Sequence, residues 1–110
     1  MTLFNSQYDV TQPFSDKGAQ FGLSANTQLS FTVPGDNRVT YLAYFNFPYN
    51  AEVWVGLNVN ATTPTANVMT PVSGIALNPV SKFVRGGDVL NFKSSANVSD
   101  CGIELFTQLG

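Results

Sequence analysis

Histidine is absent from this chain of 110 residues, cysteine occurs once, at Cys101, and only twelve positions carry a charge. An average soluble domain is about a quarter Asp, Glu, Lys and Arg, so charge here is scarce. Without histidine, neither a Ser-His-Asp arrangement nor a Cys-His pair can be built. A zinc site wants several Cys or His ligands, and the chain holds one such residue. A lone cysteine also rules out an intrachain disulfide, the usual support of small secreted domains. The five cations, Lys17, Arg38, Lys82, Arg85 and Lys93, are scattered along the chain. Nucleic-acid binding depends on clustered cations that displace counterions from phosphates, and no such cluster exists. No apolar run approaches the roughly 20 residues that span a bilayer. The first residues, MTLFNSQYDVTQPF, lack the basic and long apolar regions of a signal peptide. Synthesis in a cytoplasm, without a classical export signal, is the expectation. Accordingly, Asn60-Ala61-Thr62 and Asn97-Val98-Ser99 read as chance matches to the glycosylation pattern.

The remaining chemistry-bearing residues suggest no reaction. Asp36 and Asp88 fall among turn formers, where a carboxylate caps the turn. Glu52 opens a strand and Glu104 lies within one, which suits a solvated face. No D-x-D-x-D-type loop for calcium is present, and Gly86-Gly87 lacks the spacing of a phosphate loop. The expectation is a non-enzyme without cofactor or metal.

What the chain does contain is Asn, Thr and Ser, which together fill thirty positions. The length suits one domain, able to bury roughly 65% of its unfolded surface. Period-two alternation dominates. Gln28–Val33 alternates cleanly and is followed by Pro34-Gly35-Asp36-Asn37, four turn formers in a row. Arg38–Phe47 is expected to be the longest strand. Val39, Tyr41, Ala43, Phe45 and Phe47 face one way, and Leu42 and Tyr44 make the other face apolar as well. Such a strand is either central in its sheet or covered by a neighbouring chain.

Glu52–Val59 is the next strand, with Gly56 marking a bulge or a close backbone approach. Residues 60–73, limited by Pro64 and Pro71, read as a loop with a short strand at Ala66–Met69. Strands are expected at Gly74–Leu77, Ser81–Val84, Asp88–Lys93 and Gly102–Gln108. Residues 1–17 form an extended arm, with room for one short strand, and 18–110 a single β-sandwich. Eight or nine short antiparallel strands at intervals of roughly ten residues indicate a sandwich or barrel.

Residues 79–109, with a short strand, a Gly-Gly-Asp turn, an alternating strand, a polar loop and a final aromatic strand, resemble the closing strands of jelly-roll domains. Gly86 and Gly87 permit positive φ there, and Asp88 can cap the turn. More broadly, a short Asn/Thr/Ser-rich β-chain with an N-terminal arm is similar to the small head decoration or cement proteins of tailed bacteriophages. That resemblance implies a structural virion protein on the capsid surface, bound to the major capsid protein as a dimer or trimer. A carbohydrate- or receptor-binding β-domain, as in a phage fibre or a lectin-like module, is the other reading.

The interface candidates are Leu3, Phe4, Tyr8 and Phe14 in the arm, Leu42 and Tyr44 on the outward strand face, and Trp54. Trp54 is out of phase with Val53 and Val55. It is therefore half-buried, on an interface, in a second core layer, or a stacking platform for a sugar ring. Cys101 is read as a small hydrophobe entering the last strand, with a reactive thiol as the alternative. The arm's large apolar side chains, Leu3, Phe4, Tyr8, Val10 and Phe14, need cover, since burying each is worth about 1.5–3 kcal/mol. The cover is either the edge of its own domain or a neighbouring subunit; a capsid staple favours the neighbour.

Overall fold

The computed structural model describes residues 14–64 and 66–108. Among these there are eight strands and no helix: β1 (Lys17–Leu23), β2 (Leu29–Thr32), β3 (Thr40–Asn46), β4 (Trp54–Leu57), β5 (Ile75–Leu77), β6 (Ser81–Arg85), β7 (Val89–Lys93) and β8 (Val98–Gln108). They form two antiparallel four-stranded sheets, ordered β1-β8-β3-β6 and β2-β7-β4-β5. The pairing is nested: the first strand pairs with the last, the second with the seventh, the third with the sixth, and β4 with β5. The all-β, sandwich-like architecture expected from the alternation is thus observed.

The core follows from that alternation. On β3, Tyr41, Ala43 and Phe45 are buried, and Val39 and Phe47 pack against them from either end. They meet Val84 of β6, Ile103 and Leu105 of β8, and Leu90 and Phe92 of β7 in one cluster. Phe92 is the hub: its ring lies 4.8 Å from that of Phe21 and 6.2 Å from that of Phe45. As expected of a strand apolar on both faces, β3 is central, between β8 and β6.

Three expectations are corrected. The longest strand is β8, with eleven residues, against seven for β3. β8 starts before Gly102 because its pairing with β1 slips between Phe21 and Leu23. Asp100, at φ 61°, sits in that irregularity. The slip lets Val98 and Cys101 both face inward, which breaks the alternation in the sequence. β1 itself has only two large apolar residues, Phe21 and Leu23, among Lys17, Gly18, Ala19, Gln20 and Gly22, and so gave little apolar signal. Finally, Ala66–Met69 is not a strand but contains a turn, with Asn67 at φ 62°.

The abundant asparagine has a backbone role. Four of the five described non-glycine residues at positive φ are Asn26, Asn58, Asn67 and Asn78. Asparagine tolerates this region better than most residues. Asn78 also continues a ladder with its side chain: its Oδ1 accepts from Val53 N at 2.8 Å, and its Nδ2 donates to Ala51 O at 2.8 Å. Asn58 does the same beside β7, where its Oδ1 accepts from Val89 N at 2.8 Å.

Gly56 marks a close approach, not a bulge, since the β4–β7 register is regular through it. The chain after β4 folds back over the outward side of the second sheet, so a Cβ on Gly56 would lie 2.5 Å from Val59 O. The same fold-back covers buried Asn91, which donates to Val59 O at 2.6 Å and accepts from Ser30 Oγ at 2.5 Å. Both carboxylates expected at turns cap them: Asp36 accepts from Arg38 N at 3.0 Å, and Asp88 from Arg85 N at 2.8 Å.

The chain enters β1 through a bend at Asp16. Asp16 N donates to Leu105 O at 2.9 Å, and its carboxylate accepts from Thr107 N at 2.7 Å. The Thr107 bond holds the Asp16 carboxyl below the ordinary range, and the Arg38 side chain does so for Asp36. A depressed folded-state value means that this stability is present above the unfolded value, near pH 3.8, and is lost as pH falls through the folded one. Stability is therefore expected to be flat from neutral pH to about pH 5 and to fall below about pH 4. Asp16→Asn should shrink the acid loss. Thermal melts of both proteins across that range check this, and identical acid profiles would refute it.

Candidate contact surfaces

Two apolar surfaces stand out, on different parts of the sandwich. The first is the outward side of the β1-β8-β3-β6 sheet. Cross-strand register aligns Phe83 of β6, Leu42 of β3 and Phe106 of β8 in one row. Tyr44 joins it, its ring edge-on to Phe106 at 5.5 Å between centroids. Phe83 is 67% exposed, whereas Phe106 is 8% exposed despite its outward direction. Beside the row is a broad hollow of about 1090 Å³, its wall including Gly18, Gly22, Gly102 and Asn46. Asn46 donates to Glu104 at its rim, at 3.2 Å.

The second surface is built by the β4–β5 connection. No residue from Val53 through Ser81 carries charge. Within that stretch Val68, Met69 and Val72 are exposed, Met69 by 98%. Next to the strands flanking it, a cleft of about 290 Å³ opens between the edge strands β5 and β6. Phe45, Val55, Leu57 and Leu90 line it, with Lys82 as its one charge. An inward-directed lysine on an edge strand also discourages edge-to-edge pairing.

The candidates read from the sequence are dispersed. Leu42 and Tyr44 lie together, half-buried, on the outward side of the first sheet. Trp54 is half-buried on the outward side of the second sheet, between Leu77 and Lys93 in register, and so on the opposite side of the sandwich. Phe14 is 100% exposed. Leu3, Phe4 and Tyr8 lie outside the described residues. Sequence reading missed Phe83 and Phe106 as contact residues. The adjacent pair Phe83-Val84 was the available signal, since neighbouring strand residues cannot both face one core. Met69 was hidden by its expected place in a strand.

Chemically these surfaces offer burial and hydrogen bonding. Among the described residues no group of three or more His, Cys, Asp or Glu is placed to hold a metal ion. Cys101 is buried against the core, and burial, with Asp100 adding to it, pushes its thiol up. A thiol held protonated is a poor nucleophile, which fits its reading as a small core hydrophobe. Among the described residues no helix is long and apolar enough to cross a membrane. No protein-family model, no curated protein and no solved structure matches the chain.

Proposed function

We propose that this protein is a non-enzymatic structural virion protein, a capsid decoration or cement subunit. In this reading it binds the major capsid protein on the outside of the shell and self-associates as a dimer or trimer. The observation that carries the reading is the uncharged stretch from Val53 to Ser81 with Val68, Met69 and Val72 exposed at its loop. Protein interfaces are depleted of charge at their centre and enriched in Met. A loop free of charge can be dehydrated against a partner without stranding an ion. The nested strand order supports a jelly-roll form for the sandwich, an architecture found in viral capsid and lectin domains.

The test is co-sedimentation with shells stripped of accessory proteins. Val68→Asp with Met69→Asp is expected to weaken binding by at least about tenfold, since each buried side chain of this size contributes about 1.5–3 kcal/mol. Both residues are exposed, so the circular dichroism spectrum should not change. Undiminished binding would remove the loop from the interface, and absence of binding by the parent protein would remove the function.

Trp54 favours a second reading, because a half-exposed indole beside Lys93 suits a sugar ring. A glycan screen in which the parent protein binds and Trp54→Ala does not would replace the capsid reading with the carbohydrate one.

A further inference from the structure

We propose that the cleft between the edge strands β5 and β6 is a binding site for a straight-chain alkyl carboxylate of about ten carbons. This goes beyond the role proposed above and does not rest on it.

The cleft exists because the core runs short at this end of the sandwich. β6 is an edge of the first sheet and β5 an edge of the second. On β5 the inward residue is Ala76, opposite Val55 in register, and Gly74, just before the strand, has no side chain. On β6 the inward position beside Val84 belongs to Lys82, opposite Ala43. A lysine there keeps its ammonium at the mouth, in water, and lays only its stem along the wall. Neither strand therefore sets a large apolar side chain between the sheet edges, and a space of about 290 Å³ remains. Its walls are the core itself, through Phe45, Val55, Val84 and Leu90, none more than 6% exposed. Blocking of edge pairing accounts for the direction of Lys82, but not for the gap behind it.

Size and charge decide the ligand. A cavity of about 150 Å³ takes up benzene, a six-carbon ring, so this one holds about ten carbons. It lies along two strands, past Gly74 to Ala76 on one side and Lys82 to Val84 on the other, which suits an extended chain. No acidic residue lines it, and the ion pair among the described residues joins Arg38 to Asp36, after β2. Lys82 is thus a single cation at the mouth of an apolar slot. Ligand sites are mostly apolar, with a few polar groups that fix orientation. One anionic head answers this cation; a neutral or cationic head does not. The alkyl chain then lies on Val55, Val84 and Leu90, and the carboxylate accepts from Lys82 Nζ.

Calorimetric titration of the full chain with hexanoate, octanoate, decanoate and dodecanoate, each below its micelle concentration, tests this. Affinity is expected to rise about fourfold with each added methylene up to decanoate. It should level off at dodecanoate, whose chain end stays in water. Decyltrimethylammonium, the same chain with a cationic head, should bind about five- to tenfold more weakly than decanoate. Lys82 is exposed, so Lys82→Glu should fold as the parent does, and it should reverse that order of head groups. Ala76→Leu fills the slot and should weaken every probe at least about tenfold, with a thermal melt at or above the parent's. No saturable binding of decanoate up to about 1 mM would overturn the proposal. So would equal affinity for the two head groups, which would leave a plain apolar slot, or binding untouched by Ala76→Leu, which would place the probes elsewhere. None of these results bears on shell binding, which co-sedimentation reads separately.

Discussion

Phe92→Ala is expected to lower the free energy of unfolding by about 3–5 kcal/mol, the largest loss from any single truncation in this core. Phe92 is wholly buried, on the inner side of β7, which pairs with β2 and β4. Its ring touches Phe21 of β1 and Phe45 of β3, both strands of the opposite sheet. Truncation therefore leaves a cavity between the sheets and removes two ring contacts at once. Hydrogen-bonded sheets on either side limit how far the walls can collapse, which places the cost toward the upper part of the range. With total stability for a domain of this size at about 5–15 kcal/mol, the variant should melt about 12–20 °C below the parent. Parallel thermal and urea melts measure it. A drop under about 1 kcal/mol would mean that the two sheets do not meet at this ring.

A second large effect is expected at Gly86, and a small one at its neighbour. The β6–β7 turn sits against the turn after β2: Gly86 N donates to Val39 O at 2.9 Å and Gly87 N to Val33 O at 2.8 Å. A Cβ on Gly86 would collide with backbone atoms of Asp36 and Gly35, none of which is the end of a flexible side chain. Gly86→Ala must pry the two turns apart and lose bonds between them, at about 2–4 kcal/mol. Gly87 lies at φ 89° with open space where a Cβ would stand. Gly87→Ala is therefore expected to cost only the left-handed penalty of about 1–2 kcal/mol. Urea melts of the two variants give the comparison, and equal losses would contradict it. Sequence reading gave both glycines the same reason, positive φ. Only Gly87 uses it; Gly86 is needed for close approach.

Shell binding, if found, would place the docking on the loop after β4, and it rests on scarce charge. A surface wetted by amides and hydroxyls can pass from water to a partner by exchanging neutral hydrogen bonds, which costs less than stripping ions.

The sequence by itself determined the class of fold, the inner side of β3, the two capping aspartates and the absence of histidine-based chemistry, because each depends on residue type or on neighbours a few positions away. Alternation at Tyr41, Ala43 and Phe45 needs only the two-residue period of a strand. Tertiary structure decided the rest. Val98 and Cys101 share a face only because of a slip against β1, a strand 70 or more residues earlier. Gly56 is required by a chain that folds back over it, and Gly86 by a turn some fifty residues upstream. Leu42, Phe83 and Phe106 become one surface only when β3, β6 and β8 are placed side by side. Periodicity tells each strand which side is apolar; which strands lie together, and hence which outward side chains make a site, is set by long-range pairing that no local pattern encodes.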